Sequence, residues 1–268
     1  MMKTAKKIYM FLLFAFLYAP IFVMIILSFN DSKSRTIFTG FTFKWYEQLF
    51  SNEVILKSLV VTLIIAITSS IFATLLGTLA AVGINRMKKL PRKLVLNISY
   101  MPVLNPEIIT GVSLLLLFAV VKNYTGSWVF GWPSLFIAHV TFNVPYVILS
   151  VLPKLRQMDE RLYEAALDLG CNEKQAFFKV VLPEISPGII SGFLIAITYS
   201  IDDFVISYFT SGTLQTLPIV IFSMTRKKVS PEINALSTIM FVIVLAILLL
   251  INLKDISDEK KLNIKQEA

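Results

Sequence analysis

The chain has 268 residues, of which 56% are hydrophobic and only 16% charged, far below the roughly 25% charge of an ordinary soluble domain. Twenty-one Phe and long Leu/Ile/Val runs exclude disordered, collagen-like and nucleic-acid-reading compositions. The net charge of +8 is therefore read by its placement, and a lone Cys171 permits neither an internal disulfide nor a thiolate metal cluster.

The first apolar segment, Ile8 to Phe29, follows Lys3, Lys6 and Lys7 and has no small-x-small cleavage signature behind it, so it reads as a retained signal anchor. Further apolar stretches run from Leu56 to Ile84, Leu94 to Val121, Ser134 to Leu152, Pro187 to Phe209 and Ile233 to Leu253. Each is about long enough to cross a bilayer as a helix, the form in which a segment satisfies its own backbone groups. The expected fold is an all-α polytopic membrane protein with six transmembrane helices, residues 1–254, followed by a charged surface or disordered tail, 255–268. Lys and Arg number three before the first span, five in Asn85 to Lys93, five in Pro153 to Ser186 and four from Lys254 onward, 17 of the 25. By the positive-inside rule the N and C termini face the cytoplasm, although Arg226 to Lys228 run against it locally.

In the second span Ser69, Ala73, Gly77 and Ala81 recur every four residues, and Gly188 and Gly192 open the fifth with the same spacing. Such small faces suit close helix packing, inside the chain or against a partner. In the third span Pro102 and Asn105-Pro106 break the helix, leaving Glu107 either exposed to a pathway or paired structurally. His139, the only histidine, lies in the fourth span beside Thr141 and Asn143. Its expected role is a hydrogen bond between helices, with a proton relay as the alternative, and a lone His with a lone Cys makes no metal site.

The loop 153–186 carries ordered local signals. Asp159 is placed to cap a short helix, with Met158 and Tyr163 as a hydrophobic staple, with Leu162, Ala166 and Leu169 sharing one face, and with Gly170 ending it. Asn172, with Gln175 at the capping-box position, starts a second helix that Leu182-Pro183 closes. By spacing alone this is a surface linker or, because small alanines flank an apolar stripe, a docking element.

Asp202 and Asp203 fall in the outer half of the fifth span. A carboxylate at the centre of a span costs about 2.5 to 3.5 kcal/mol on insertion scales and usually faces an aqueous path or a protein interior. On a continuous helix the two would point about 100° apart. Tyr199 precedes them by three and four residues, and a ring beside a carboxylate suits an organic ammonium, adding about 0.5 to 2 kcal/mol of cation–π attraction. The alternative is an Asp that caps a helix end or pairs with a partner chain. The loop 210–232 contains Leu217-Pro218 before Ile219 to Met224 and predicts a short, partly re-entrant helix at the outer face.

Glu164-Ala165-Ala166, Gly170, Val180, Leu182 and Pro183 match the EAA-x3-G-x9-I-x-LP signature of ABC importer permeases, with Val180 in place of Ile. The chain resembles that family throughout, and most of all its spermidine/putrescine permeases. Supporting stretches are Leu104 to Gly111, Ile201 to Val205 and Val229 to Ala235. The resemblance implies the ABC importer permease (MetI-like) fold in the bacterial cytoplasmic (inner) membrane. It also implies that the loop is the coupling region, with Glu164, Ala165, Ala166, Gly170, Leu182 and Pro183 meeting or supporting the ATPase. Implied partners are a homologous second permease, two cytoplasmic ATPase subunits and an extracytoplasmic polyamine-binding protein, with spermidine or putrescine as substrate, the lipid bilayer as solvent, and no nucleic acid. The expected pathway residues are Glu107, Tyr199, Asp202 and Asp203. No Gly-x4-Gly-Lys-Ser/Thr loop occurs, so the chain is not expected to be an enzyme or to hold a cofactor, and ATP would be hydrolysed by separate subunits. Another small solute is the alternative cargo. From another class, a proton-coupled carrier would use Asp202, Asp203 or His139 as its relay, and a structural assembly protein would carry no solute.

Overall fold

The computed structural model describes residues 2–32, 37–126, 130–227, 231–242 and 245. In chain order the helices are α1 (Met2–Ser28), α2 (Lys44–Ser51), α3 (Glu53–Arg86), α4 (Lys89–Leu104), α5 (Glu107–Thr125), α6 (Trp132–Gln157), α7 (Glu160–Asp168), α8 (Glu173–Ala176), α9 (Leu182–Asp202), α10 (Val205–Thr210), α11 (Leu217–Lys227) and α12, residues 231–242. Among the described residues, five helical stretches are long and apolar enough to cross a membrane: Lys6–Ser28, Glu53–Arg86, Glu107–Thr125, Trp132–Gln157 and Glu173–Asp202. They correspond to the first five expected spans. α12 opens the expected sixth, whose remainder lies largely outside the described residues, as do the tail 255–268, Lys33, Arg35 and Lys228.

The chain divides into two compact units, residues 1–55 with 221–268, and residues 56–220. In the first, the most apolar window of α1 has none of its residues buried, so its surface is suited to lipid or a partner chain. Beyond α1 the chain is organised by Asn30. Its Nδ2 donates to Ile37 O at 2.8 Å, its Oδ1 accepts from Thr39 N at 3.0 Å, and its carbonyl accepts from the buried Trp45 Nε1 at 2.6 Å. A short polar residue that bonds backbone on both sides replaces a regular turn here. On α11, the Arg226 guanidinium lies 5.8 Å from the centre of the Phe222 ring, in the helix's last turn, where a cation is favoured.

The second unit is built around α3, α6 and α9. Lipid offers helices no hydrophobic reason to associate, so close packing must hold them, and small residues permit it. Ser69, Ala73 and Ala81 are fully buried. A Cβ on Gly77 would stand 2.6 Å from Val147 Cβ on α6. Gly188 and Gly192 of α9 meet α6 in the same way, a Cβ there standing 2.9 Å from Ser150 O and 3.2 Å from Val147 Cα respectively. Both small-residue faces therefore pack inside this chain. Between them Val147, Ile148, Val151, Leu152, Leu155, Val181 and Ile185 form the core.

Two spans are broken, for different reasons. The third divides into α4 and α5 at Asn105-Pro106, where Asn105 takes the extended ψ of 144° that a following proline demands. The fifth, expected to run unbroken from Pro187 to Phe209, ends as a helix at Asp202. Asp203 leaves it with ψ 114° and α10 starts at Val205. At the other end the span begins earlier than expected. Leu182-Pro183 does not close the second loop helix: α8 passes through a wide turn, Phe177–Val181, directly into α9. The Leu182 N–H donates five residues back, to Phe177 O. The wider turn relieves the carbonyl clash and missing donor that Pro183 would impose on a regular α-helix. Asp202 thus sits about 30 Å along the helix from Leu182 at 1.5 Å per residue, further out than a start at Pro187 implied.

Candidate functional site

Both breaks open onto one pocket of about 180 Å³ in the second unit. From the first break come Pro102, Glu107 and Thr110, and from the second Asp202, Asp203, Phe204, Val205 and Ile206. α6 contributes Phe142 and Tyr146, and α9 contributes Tyr199. Irregular backbone at membrane depth is tolerated where it is buried in protein or lines a cavity, and here it does the latter. α4 and α9 end at the pocket while α5 and α10 start there, so the helix dipoles offset one another and the carboxylates set the charge of the site. The arrangement favours a cation.

The four residues expected to line a pathway, Glu107, Tyr199, Asp202 and Asp203, are brought together, but the two aspartates differ. Asp203 is 9% exposed and caps α10: its Oδ1 accepts from Ile206 N at 3.1 Å and its Oδ2 from Ser207 N at 2.7 Å. Asp202, on the last turn of α9, is exposed, as is Glu107 on the first turn of α5. The aspartates diverge because the backbone leaves the helix between them, not because of a 100° helical step.

Sequence reasoning missed Tyr146. Its ring lies 4.6 Å from that of Tyr199, so the aromatic wall of the pocket is a pair contributed by two helices. The available signal was helical spacing: Tyr146 lies seven residues after His139 and so close to its face, but an aromatic there reads equally as core.

Behind the pocket, His139 is 1% exposed. Its Nδ1 is hydrogen-bonded to Ser200 Oγ, while its Nε2 is 3.0 Å from Ser207 Oγ and 3.5 Å from Asp203 Oδ2. Ser200 Oγ continues to Ser69 Oγ at 3.2 Å. His139 thus joins α6 to both sides of the broken fifth span, matching the expected interhelix role.

The second region is the loop 153–186. Asp159 Oδ1 accepts from Arg161 N at 3.0 Å, and Asn172 and Gln175 form the reciprocal capping box at 2.9 and 3.1 Å. Gly170 turns the chain at φ +87°, a conformation that L side chains rarely adopt. Met158 and Tyr163 pack at the edge of the core and Ala166 is buried, whereas Leu162 is 47% and Leu169 87% exposed. Leu162, Ala166 and Leu169 therefore do not share a single buried face: Ala166 anchors the helix and the leucines remain uncovered, together with the exposed Phe178. Glu164 and Ala165 are exposed, and Glu164 lines a pocket of about 270 Å³ with Arg86, Tyr163 and Phe177. Leu182 and Pro183 stand at the exit of the wide turn, directly after Val181, which lines the same pocket as Glu164.

The family described as "Binding-protein-dependent transport system inner membrane component" matches residues 73–259. The spermidine/putrescine transport system permease protein PotC of Haemophilus influenzae is 38% identical over 246 residues, 91% of this chain and 94% of that one. The putrescine transport system permease protein PotI of Escherichia coli is 40% identical over 236 residues, 84% of this chain and 82% of that one. A solved bacterial alginate ABC transporter, in complex with an alginate pentasaccharide-bound periplasmic protein, matches with a TM-score of 0.71 over 93% of this chain and 91% of that chain. At 18% identity this concerns the fold alone.

Proposed function

Because the chain belongs to the family of binding-protein-dependent transport system inner membrane components, we propose that it is the permease subunit of an ATP-driven importer of polyamines such as spermidine and putrescine. It is a multi-pass inner-membrane protein, and its role is passage without covalent chemistry. The observation that carries the substrate reading is the pocket at the two helix breaks, where Asp202 and Glu107 stand with the Tyr146–Tyr199 pair. A polyamine presents ammonium groups separated by methylenes. Carboxylates pair with the charges, ring faces add cation–π attraction, and Pro102, Phe142 and Ile206 offer apolar contact to the methylenes. Asp203 shapes this site by capping α10, and Asp202 meets the cargo.

The remaining parts of the reading follow from the loop and the family. The Lys and Arg distribution supports a cytoplasmic position for both termini. The loop 153–186 docks a cytoplasmic ATPase, with Glu164 and Ala165 at the contact, Ala166 as anchor and Gly170 as the turn. Leu182 and Pro183 lead into the span. A homologous second permease completes the pathway, two ATPases supply the energy, and an extracytoplasmic binding protein delivers the polyamine.

The test is uptake of labelled spermidine and putrescine into vesicles holding the complete transporter. Uptake should require ATP and the binding protein, and Asp202→Asn should reduce it about tenfold or more, the loss expected for one desolvated charge pair. Transport that continues on a proton gradient without the ATPases would overturn the reading, and failure of both polyamines to compete would overturn the substrate.

A further inference from the structure

We propose that His139 is a positioning residue for the cargo site, a clasp that sets the angle between α9 and α10 and thereby where Asp202 presents its carboxylate. The proposal rests on the reading of Asp202 as a cargo ligand. One ring nitrogen holds Ser200, in the last turn of α9, and the other holds Ser207, in the first half of α10. Between them lie Asp202, the last residue of α9, and the break at Asp203 and Phe204. Nε2 is also within 3.5 Å of the carboxylate that caps α10, so the ring and the cap constrain the same two residues, Asp203 and Ser207. The clasp is buried throughout, with Ser200 2%, Ser207 0% and His139 1% exposed.

Both nitrogens are engaged by hydroxyls that donate or accept, so the ring is satisfied in either neutral tautomer. His139 does not join Phe142 and Tyr146 in lining the pocket, although all three lie on α6. It acts behind the site, through the break. Without it, α10 keeps its Asp203 cap, the hydrogen bond from Ser134 Oγ of α6 to Thr210 O at 2.6 Å and the packing of Ile206 on Ala138 and Phe142, but it loses the tie beside the break that fixes Asp202 relative to the rest of the pocket.

The experiment measures polyamine delivered per ATP hydrolysed, in vesicles holding the complete transporter with loaded binding protein. A variant that merely lowers the amount of folded complex lowers both quantities and leaves their ratio unchanged. His139→Ala is expected to lower the ratio about tenfold or more, since a misplacement of roughly 1 Å at a reacting group can cost as much as about a hundredfold. His139→Gln, which keeps a donor and an acceptor at that position, should recover part of it. Ser207→Ala removes one hydroxyl and should lower the ratio severalfold, and it decides the matter if His139→Ala does not assemble. Asp202→Asn, run in parallel, tests the underlying reading. If Asp202→Asn lowers the ratio while His139→Ala and Ser207→Ala leave it unchanged, the clasp is overturned and the cargo site stands. If Asp202→Asn itself has no effect, the site reading fails and the clasp falls with it.

Discussion

Asp202 and Asp203 are adjacent in the chain and opposite in circumstance. Asp203 gives both carboxylate oxygens to backbone amides of α10, while Asp202 stands open to the pocket. Removing the first should therefore cost stability and removing the second should cost transport. Asp203→Ala leaves two amides at a buried helix start without their acceptor, an expected loss of about 1 to 3 kcal/mol, read as a lower unfolding midpoint of the purified protein in detergent. Asp202→Asn should leave that midpoint unchanged within about 0.5 kcal/mol while uptake falls. The sequence shows only two acids in an apolar run, and on a helix either could face a pathway. What separates them is the departure of the backbone at ψ 114°, and neither proline nor glycine announces it. Tyr146 was hidden for a related reason, since its partner Tyr199 is 53 residues away and only the pairing of α6 with α9 brings the rings together.

Among the elements, the small-residue face of α3 gives a paired test. Alanine in place of glycine normally favours a helix by about 0.5 to 1 kcal/mol. At Gly83 a Cβ would meet nothing within 4 Å, so Gly83→Ala should raise the unfolding midpoint. At Gly77 the same Cβ would lie 2.6 Å from Val147 Cβ. Val147 is β-branched and fully buried, so it has little freedom to move aside. Overpacking of this kind costs about 1 to 3 kcal/mol, and Gly77→Ala should lower the midpoint by the difference. The spans themselves were legible because a bilayer demands long apolar runs, and the break at Asn105-Pro106 was legible because proline restricts its neighbour. The stop expected at Leu182-Pro183 does not occur, because a wide turn there absorbs the missing donor.

For the whole molecule, the proposed function makes the loop 153–186 the joint between energy supply and passage. Its caps and its Gly170 turn were readable because they are local chemistry, whereas which leucines stay uncovered depends on how α7 sits against the core. Leu169 is 87% exposed, so nothing in this chain depends on it for packing. Leu169→Glu should therefore leave the unfolding midpoint unchanged and reduce co-purification of the ATPase subunits, since a charge is then buried in an apolar contact. Loss of stability without loss of association would show that the exposed face is not where the ATPase sits.

The unbroken passage of α8 through the wide turn into α9 makes residues Glu173–Asp202 one rod of 30 residues, about 45 Å long at 1.5 Å per residue. A tilt of about 10° about its inner end would sweep Asp202 sideways by roughly 8 Å, more than twice the reach of a hydrogen bond. α10 lies beyond the break but is tied to the end of the rod through His139, so the rod can turn against α10 only if that clasp yields. On the proposed reading, whether the carboxylate faces its cargo depends on an angle set at the other end of the rod. Affinity would then be switched by geometry alone, with no change in charge.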